Sequence, residues 1–191
     1  NTGSGTTVVE LQSGAKAEST DIFTYLEEGV VDAVSPLSGQ EGTLVTITGL
    51  RLLGGANKAS VVTLAGAVAE IVSISTTEVV VRAKTLGSVT GTGSVKIVSN
   101  TGAVVSGKTF EYIQPSKISS VEPSEGQIGT RVTINGTNLK AGSTKVSFVS
   151  LAGVEATIKE QSDTQVIVEF GEGTNALGND VRVVGKSGGF T

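Results

Sequence analysis

The sequence predicts an all-β protein built as tandem β-sandwiches, and three observations predict it. Glycine is abundant at 26 residues and proline scarce at 3, while Val, Thr and Ser crowd the chain. β-branched side chains suit a pleated surface and glycine suits tight turns. The chain also repeats itself: 31–83 match 118–170 without a gap, at a constant offset of 87. Within each copy, short runs alternate apolar and polar, as in Val45-Thr46-Ile47 and Val132-Thr133-Ile134. Such alternation gives one buried and one wet face per sheet.

Three segments follow, in order 1–28, 29–114 and 115–191. The first is an arm. Carried backwards, the offset of 87 sets Val8 on Val95, Phe23 on Phe110, Tyr25 on Tyr112 and Leu26 on Ile113. The arm therefore matches the last two strands of a repeat whose front is absent. The second segment holds the landmarks Val34, Pro36, Gly39, Gly42, Thr43, Val45, Ile47, Gly49 and Leu52. The third repeats them as Val121, Pro123, Gly126, Gly129, Thr130, Val132, Ile134, Gly136 and Leu139. Strands are predicted there at 118–122, 131–135, 145–148, 154–160, 165–170 and 180–184. Glycine or asparagine serves the turns at Gly126, Gly136, Gly153 and Gly178. Gln114-Pro115-Ser116 forms a short joint that permits little flexing.

Val121-Glu-Pro123-Ser-Glu-Gly126-x-x-Gly129-Thr130-x-Val132-Thr133-Ile134-x-Gly136-Thr-Asn138-Leu139 resembles the opening of an IPT/TIG domain. The first copy carries the same pattern from Val34 to Gly49, and Phe110-Glu-Tyr112 resembles that family's last strand. It departs at Leu50-Arg51, where the family often has an Asn-containing pair. The resemblance implies immunoglobulin-like sandwiches of the kind found in cell-surface receptors, surface proteins, some starch-acting enzymes and certain transcription factors. Fold alone does not choose among these.

Composition narrows the choice. Net charge is −4 and no basic cluster is present, which argues against nucleic acid. With no His and no Cys, no histidine triad, thiol nucleophile, disulfide or Cys/His zinc site can be built. No apolar run approaches the ~18 residues of a membrane span. The start at Asn1, with neither initiator Met nor leader, reads as a processed or excerpted chain. The expectation is a non-enzymatic, extracellular or cell-surface protein without cofactor or metal.

The two ends are complementary. Residues 115–191 stop before a counterpart of 106–113, the final strand, whereas the arm supplies a spare one at 19–26. A sandwich short of an edge strand exposes ladder groups and a strip of core, and strand addition fills such a strip. Ile22, Phe23, Thr24, Tyr25 and Leu26 are the expected donor contacts, with Val181, Val183 and Phe190 as the acceptor edge. Burying the two aromatics contributes roughly 1.5–3 kcal/mol each. Two stacked sandwiches span very roughly 70–80 Å, so the recipient is a neighbouring copy and the contact an open, head-to-tail one. The expected function is a structural subunit of an extracellular filament. The alternatives are spacer repeats of an adhesin or receptor stalk, and an accessory domain of a carbohydrate-active enzyme. Solvent-exposed Phe23 and Tyr25, or a second sandwich sealed by its own residues, count against the filament and leave a pair of spacer modules.

Smaller features have bland readings beside them. Asn135-Gly136-Thr137 is the one N-glycosylation sequon, though Asn-Gly equally suits a strand end. The Ser/Thr-rich stretches 3–7 and 90–94 offer O-glycosylation or simple turn polarity. The loop 171–176 mimics a dinucleotide fingerprint but leads into a strand where that motif needs a helix. Asp21, Glu27, Glu28 and Asp32 could clamp Ca²⁺ or form a solvated linker face. The aromatics Phe23, Tyr25, Phe110, Tyr112, Phe148 and Phe170 are placed as core rather than as sugar platforms.

Overall fold

The computed structural model describes residues 2–84, 90–172 and 180–191. The predicted turn at Gly178 and the greater part of the loop 171–176 lie outside them. The described residues form strands and turns. Strands β1 (Gly3–Glu10) and β2 (Lys16–Tyr25) make an antiparallel hairpin. The first sandwich comprises β3 (Val30–Ser35), β4 (Ser38–Gly39), β5 (Leu44–Leu50), β6 (Ala59–Leu64), β7 (Ala67–Ile74), β8 (Glu78–Arg82), β9 (Gly91–Ser99) and β10 (Val104–Tyr112). The second comprises β11 (Lys117–Glu122), β12 (Arg131–Thr137), β13 (Val146–Leu151), β14 (Val154–Gln161), β15 (Gln165–Phe170) and β16 (Val181–Gly185).

Hydrogen bonding runs β3-β5-β8-β7-β6-β9-β10-β4 in the first unit and β11-β12-β15-β14-β13-β16 in the second. Each continuous order folds into two layers because one strand serves both. Ala67–Ala69 of β7 pair with β6, whereas its later residues from Glu70 to Ile74 pair with β8. The turn that starts this strand is the same in both copies. Ala65 and Gly66 have φ of 48° and 89°, and Ala152 and Gly153 have 52° and 82°. Two successive positive φ values match the twist of a tight hairpin, which is why Leu-Ala-Gly recurs there.

Alternation decides the interior. Val45 and Ile47 of β5 and Val79 and Val81 of β8 face Val62, Leu64, Val95 and Ile97 across the first sandwich. β10 closes that core with Val105, Phe110 and Tyr112, packing across Val31 and Val34 of β3. Each such side chain contributes about 1.5–3 kcal/mol on burial. The second core repeats the pattern with Val132, Ile134, Val166, Val168, Val149 and Val183. It lacks a strand in the place of β10 among the described residues.

Candidate functional site

Among the described residues the features best placed to act on another molecule are the ends of the two sandwiches and the joint between them. Gln40 sits at the centre of the joint. It is 2% exposed, and its amide binds the second domain at both ends. Nε2 donates to the Phe190 carbonyl at 2.7 Å, and Oε1 accepts from Ser116 N–H at 2.7 Å. The Ser116 hydroxyl lies against both Gln40 Oε1 and the Asn138 carbonyl. Thr191 Oγ1 donates to Ser116 C=O at 3.0 Å, and Leu44 N–H donates to Ser187 C=O at 2.7 Å. Phe190 lies against Gly42, where any Cβ would meet its ring. Backbone and amide bonds link the two modules across a joint in which Gln40 is buried and Phe190 half-exposed.

The linker contacts of this joint occur a second time, between the hairpin and the first sandwich. A Cβ on Gly142 would meet Ile113 Cδ1 at 2.6 Å, and one on Gly55 would collide with Leu26 Cδ1. Both pairs are related by the offset of 87. Arg51 and Asn138 occupy matching left-handed positions, with φ of 51° and 53°. Each reaches back to the incoming linker: Arg51 Nε donates to the Glu28 carbonyl at 3.1 Å, and Asn138 Nδ2 to the Gln114 carbonyl at 3.0 Å. The departure from the family pattern at Arg51 therefore keeps the conformation and the linker clamp while changing the donor. Arg51 also pairs with Glu27 at 3.0 Å.

Among the described residues, one side of β16 is only partly covered. β10 lies between β9 and β4; at β16 the corresponding side meets only Phe190 and Thr191 among the described residues. Phe190 bridges Val184, and Thr191 exchanges two bonds with Val183 at 3.0 and 3.1 Å. Phe190 thus takes the first position of a last strand and serves the joint, with Arg182 4.8 Å from its ring centroid. Val183 is buried, but Val181 is only half-buried. Val31 and Val34, which β10 covers, are buried; their counterparts Ile118 and Val121 are half-exposed. Ala83 and Val95 are buried, whereas Phe170 and Val181 are not.

At the other end the arm forms a hairpin that, among the described residues, meets the first sandwich near Leu26 and is otherwise largely exposed. Phe23 is 59% exposed and Tyr25 68%, so these two aromatics form no part of a core within the chain. Ile22 and Leu26 are exposed as well. The rings nonetheless meet edge to face at 5.2 Å and 80°, nearly the 5.2 Å and 82° of Phe110 and Tyr112. Gly5 and Gly3 oppose Phe23 and Tyr25 just as Gly93 and Gly91 oppose Phe110 and Tyr112. The hairpin therefore reproduces β9 and β10 together, a pairing that the residue pattern of the arm alone did not specify. The condition that counts against the filament is met on the aromatic side; on the acceptor side the edge is closed over its last positions only.

Asn135 lies inside β12 rather than at a strand end. Its Nδ2, the atom a glycan would require, donates to Ser120 Oγ at 3.0 Å, and its Oδ1 accepts from Gln165 Nε2 at 3.0 Å. Among the described residues no group of three or more His, Cys, Asp or Glu is placed to hold a metal.

The IPT/TIG domain model matches residues 30–112 and 115–191, and the chain belongs to this family of immunoglobulin-like modules. No curated protein matches it. Among solved structures, the full extracellular region of plexin A4 shares 22% identity with a TM-score of 0.61, covering 95% of this chain and 17% of that one. A second structure of the plexin A4 extracellular region gives 22% and 0.56, covering 92% and 19%. A Bacteroides ovatus SGBP-B from a mixed-linkage glucan utilization locus gives 14% and 0.39, covering 100% and 48%. The chain thus spans under a fifth of the plexin regions it matches, and the two plexin likenesses show the fold.

Proposed function

We propose that the chain is a non-catalytic spacer of an extracellular protein, a rod segment in which TIG modules are held end to end at fixed geometry. The joint carries this reading: a buried glutamine and matched glycine niches are expensive to keep in modules that only need to be tethered. The plexin A4 regions with the same fold are described as extracellular, which supports the same placement here. The absence of cysteine gives a clean background for spin labels at Lys96→Cys and Glu155→Cys, both exposed. Dipolar spectroscopy is expected to return one narrow distance distribution. A broad distribution would show beads on a flexible linker and overturn the spacer reading.

The open side of β16 supports a finer assignment, the filament subunit, against which the exposure of Phe23 and Tyr25 in the single chain counts. The uncovered strip beside β16 and the exposed aromatic pair on β2 fit each other as β9 fits β10. In that assembly β2 of one copy leaves β1 and enters the strip of the next, exchanging one ladder for another at about 1 kcal/mol per bond and gaining the two aromatics. Electron microscopy at rising concentration decides it. Fibres that vanish in Phe23→Asp support strand donation; a chain that sediments as a monomer throughout leaves the spacer alone.

A further inference from the structure

The joint between the two sandwiches is made from two preformed turns, and each turn has a twin in the other sandwich that is exposed among the described residues. The receiving turn is Gly39–Thr43. Its N–H of Gln40 donates to Thr43 Oγ1 at 3.1 Å, its Gly42 N–H to Ala83 C=O at 2.9 Å, and Gly42 has φ of 84°. In the second sandwich Gln127 N–H donates to Thr130 Oγ1 at 2.9 Å, Gly129 N–H to Phe170 C=O at 3.0 Å, and Gly129 also has φ of 84°. The conformation is the same, yet the first turn is buried against the second domain and Gly126–Gly129 are exposed, Ile128 at 62%. Gln127 stands where Gln40 makes its bonds across the joint.

The inserting turn is Lys186–Phe190. Gly188 N–H donates to Gly185 C=O at 2.9 Å, Gly185 N–H to Gly189 C=O at 2.7 Å, and Lys186 N–H to Lys145 C=O at 2.9 Å. The first sandwich matches each bond. Gly102 N–H donates to Ser99 C=O at 3.1 Å, Ser99 N–H to Ala103 C=O at 2.9 Å, and Asn100 N–H to Lys58 C=O at 3.1 Å. Gly102 and Gly188 share φ of 90° and 92°. Asn100, Thr101, Gly102 and Val104 are exposed, with Val104 in the place of Phe190. One substitution works against the fit: Ala103 replaces Gly189, where a Cβ would lie 2.9 Å from Ala141 Cβ and 3.1 Å from Gln40 Cγ and Thr43 Oγ1, so the receiving turn must give by a few tenths of an ångström.

We propose that Gly126–Thr130 of one copy receives the Asn100–Val104 turn of a second copy, rebuilding between molecules the contact that already joins the domains within one. The partner is this chain itself, because it carries both halves of a contact that the structure shows assembled. The contact is heterologous and repeats. It lies at the end of the second sandwich toward which a strand beside β16 would run, so it and strand donation accept the same neighbour. The proposal goes beyond the spacer reading, which needs no meeting of copies and is tested within one chain.

Within the joint, Leu44 bonds Ser187; their twins are Arg131 and Thr101, both exposed. Single-cysteine variants Thr101→Cys and Arg131→Cys are mixed under mild oxidation, with Leu44→Cys plus Ser187→Cys in one chain as the positive control. The heterodimer is expected to exceed either homodimer by about tenfold. Equal or absent hetero-linking, with the control bridge formed, overturns the proposal. Repeating the mixture with Phe23→Asp in both variants separates the two contacts. A surviving heterodimer shows turn docking without strand donation, and a lost one shows docking that depends on it.

Discussion

Tyr112 closes the first core with a hydroxyl that no hydrogen bond satisfies among the described residues. Burial strips water from that oxygen, and desolvation raises the phenol pKa above its usual 10. A pKa higher in the folded than in the unfolded chain means that the folded state holds the proton more tightly. Its stabilising effect is complete below pH 10 and is lost as pH rises through the folded value. Alkaline unfolding above pH 10 is therefore expected, and Tyr112→Phe should blunt it. At neutral pH the same substitution removes an unpaired buried hydroxyl and is expected to leave stability unchanged or raise it by about 1 kcal/mol. Denaturant titrations of both proteins at pH 7 and pH 11 measure the two effects. A clear loss at pH 7 would show that the hydroxyl has a partner.

At the scale of elements, the joint turns on one amide. Gln40→Ala would remove the amide partner of the Phe190 carbonyl and of the Ser116 N–H, both part-buried, at about 1–2 kcal/mol each. The substitution is expected to lower stability by about 2–4 kcal/mol and to broaden the label-to-label distance between domains, while each sandwich keeps its own circular dichroism. An unchanged distance would place the rigidity elsewhere. Gln40 also marks what sequence reasoning can and cannot reach. Period-two alternation foretold one buried face through Val45 and Ile47 and through Val132 and Ile134, because this follows from local pattern. That Gln40 is buried while Gln127 is exposed depends on a neighbour contributed from 150 residues away, and no local pattern records it. The offset of 87 did carry the information that the two positions are twins. Phe23 and Tyr25 read as core from their match to Phe110 and Tyr112, yet both are exposed, because a core position needs a facing layer and none lies over the hairpin among the described residues.

For the whole molecule, the two sandwiches should differ in stability although they share a fold. The first has Val105, Phe110 and Tyr112 buried on its last strand; the second leaves Ile118, Val121, Phe170 and Val181 partly wet beside the missing one. Three buried side chains at about 1.5–3 kcal/mol each amount to most of the stability of a small domain. The second sandwich is therefore expected to depend on the joint, through Phe190, Thr191 and Gln40, and to open locally at lower free energy. Hydrogen exchange reads this directly. Amides of Val95 and Ile97 in β9 should be protected to the limit of global unfolding, while those of Val181 and Val183 exchange faster by about two orders of magnitude or more. Raising the protein concentration discriminates further. Protection that grows at β16 while it falls at β1 means that strands are passing between copies, because β1 loses β2 as β16 gains it. Equal protection of β9 and β16 in dilute solution would mean that the second core is complete without a further strand, and the asymmetry on which assembly depends would be absent.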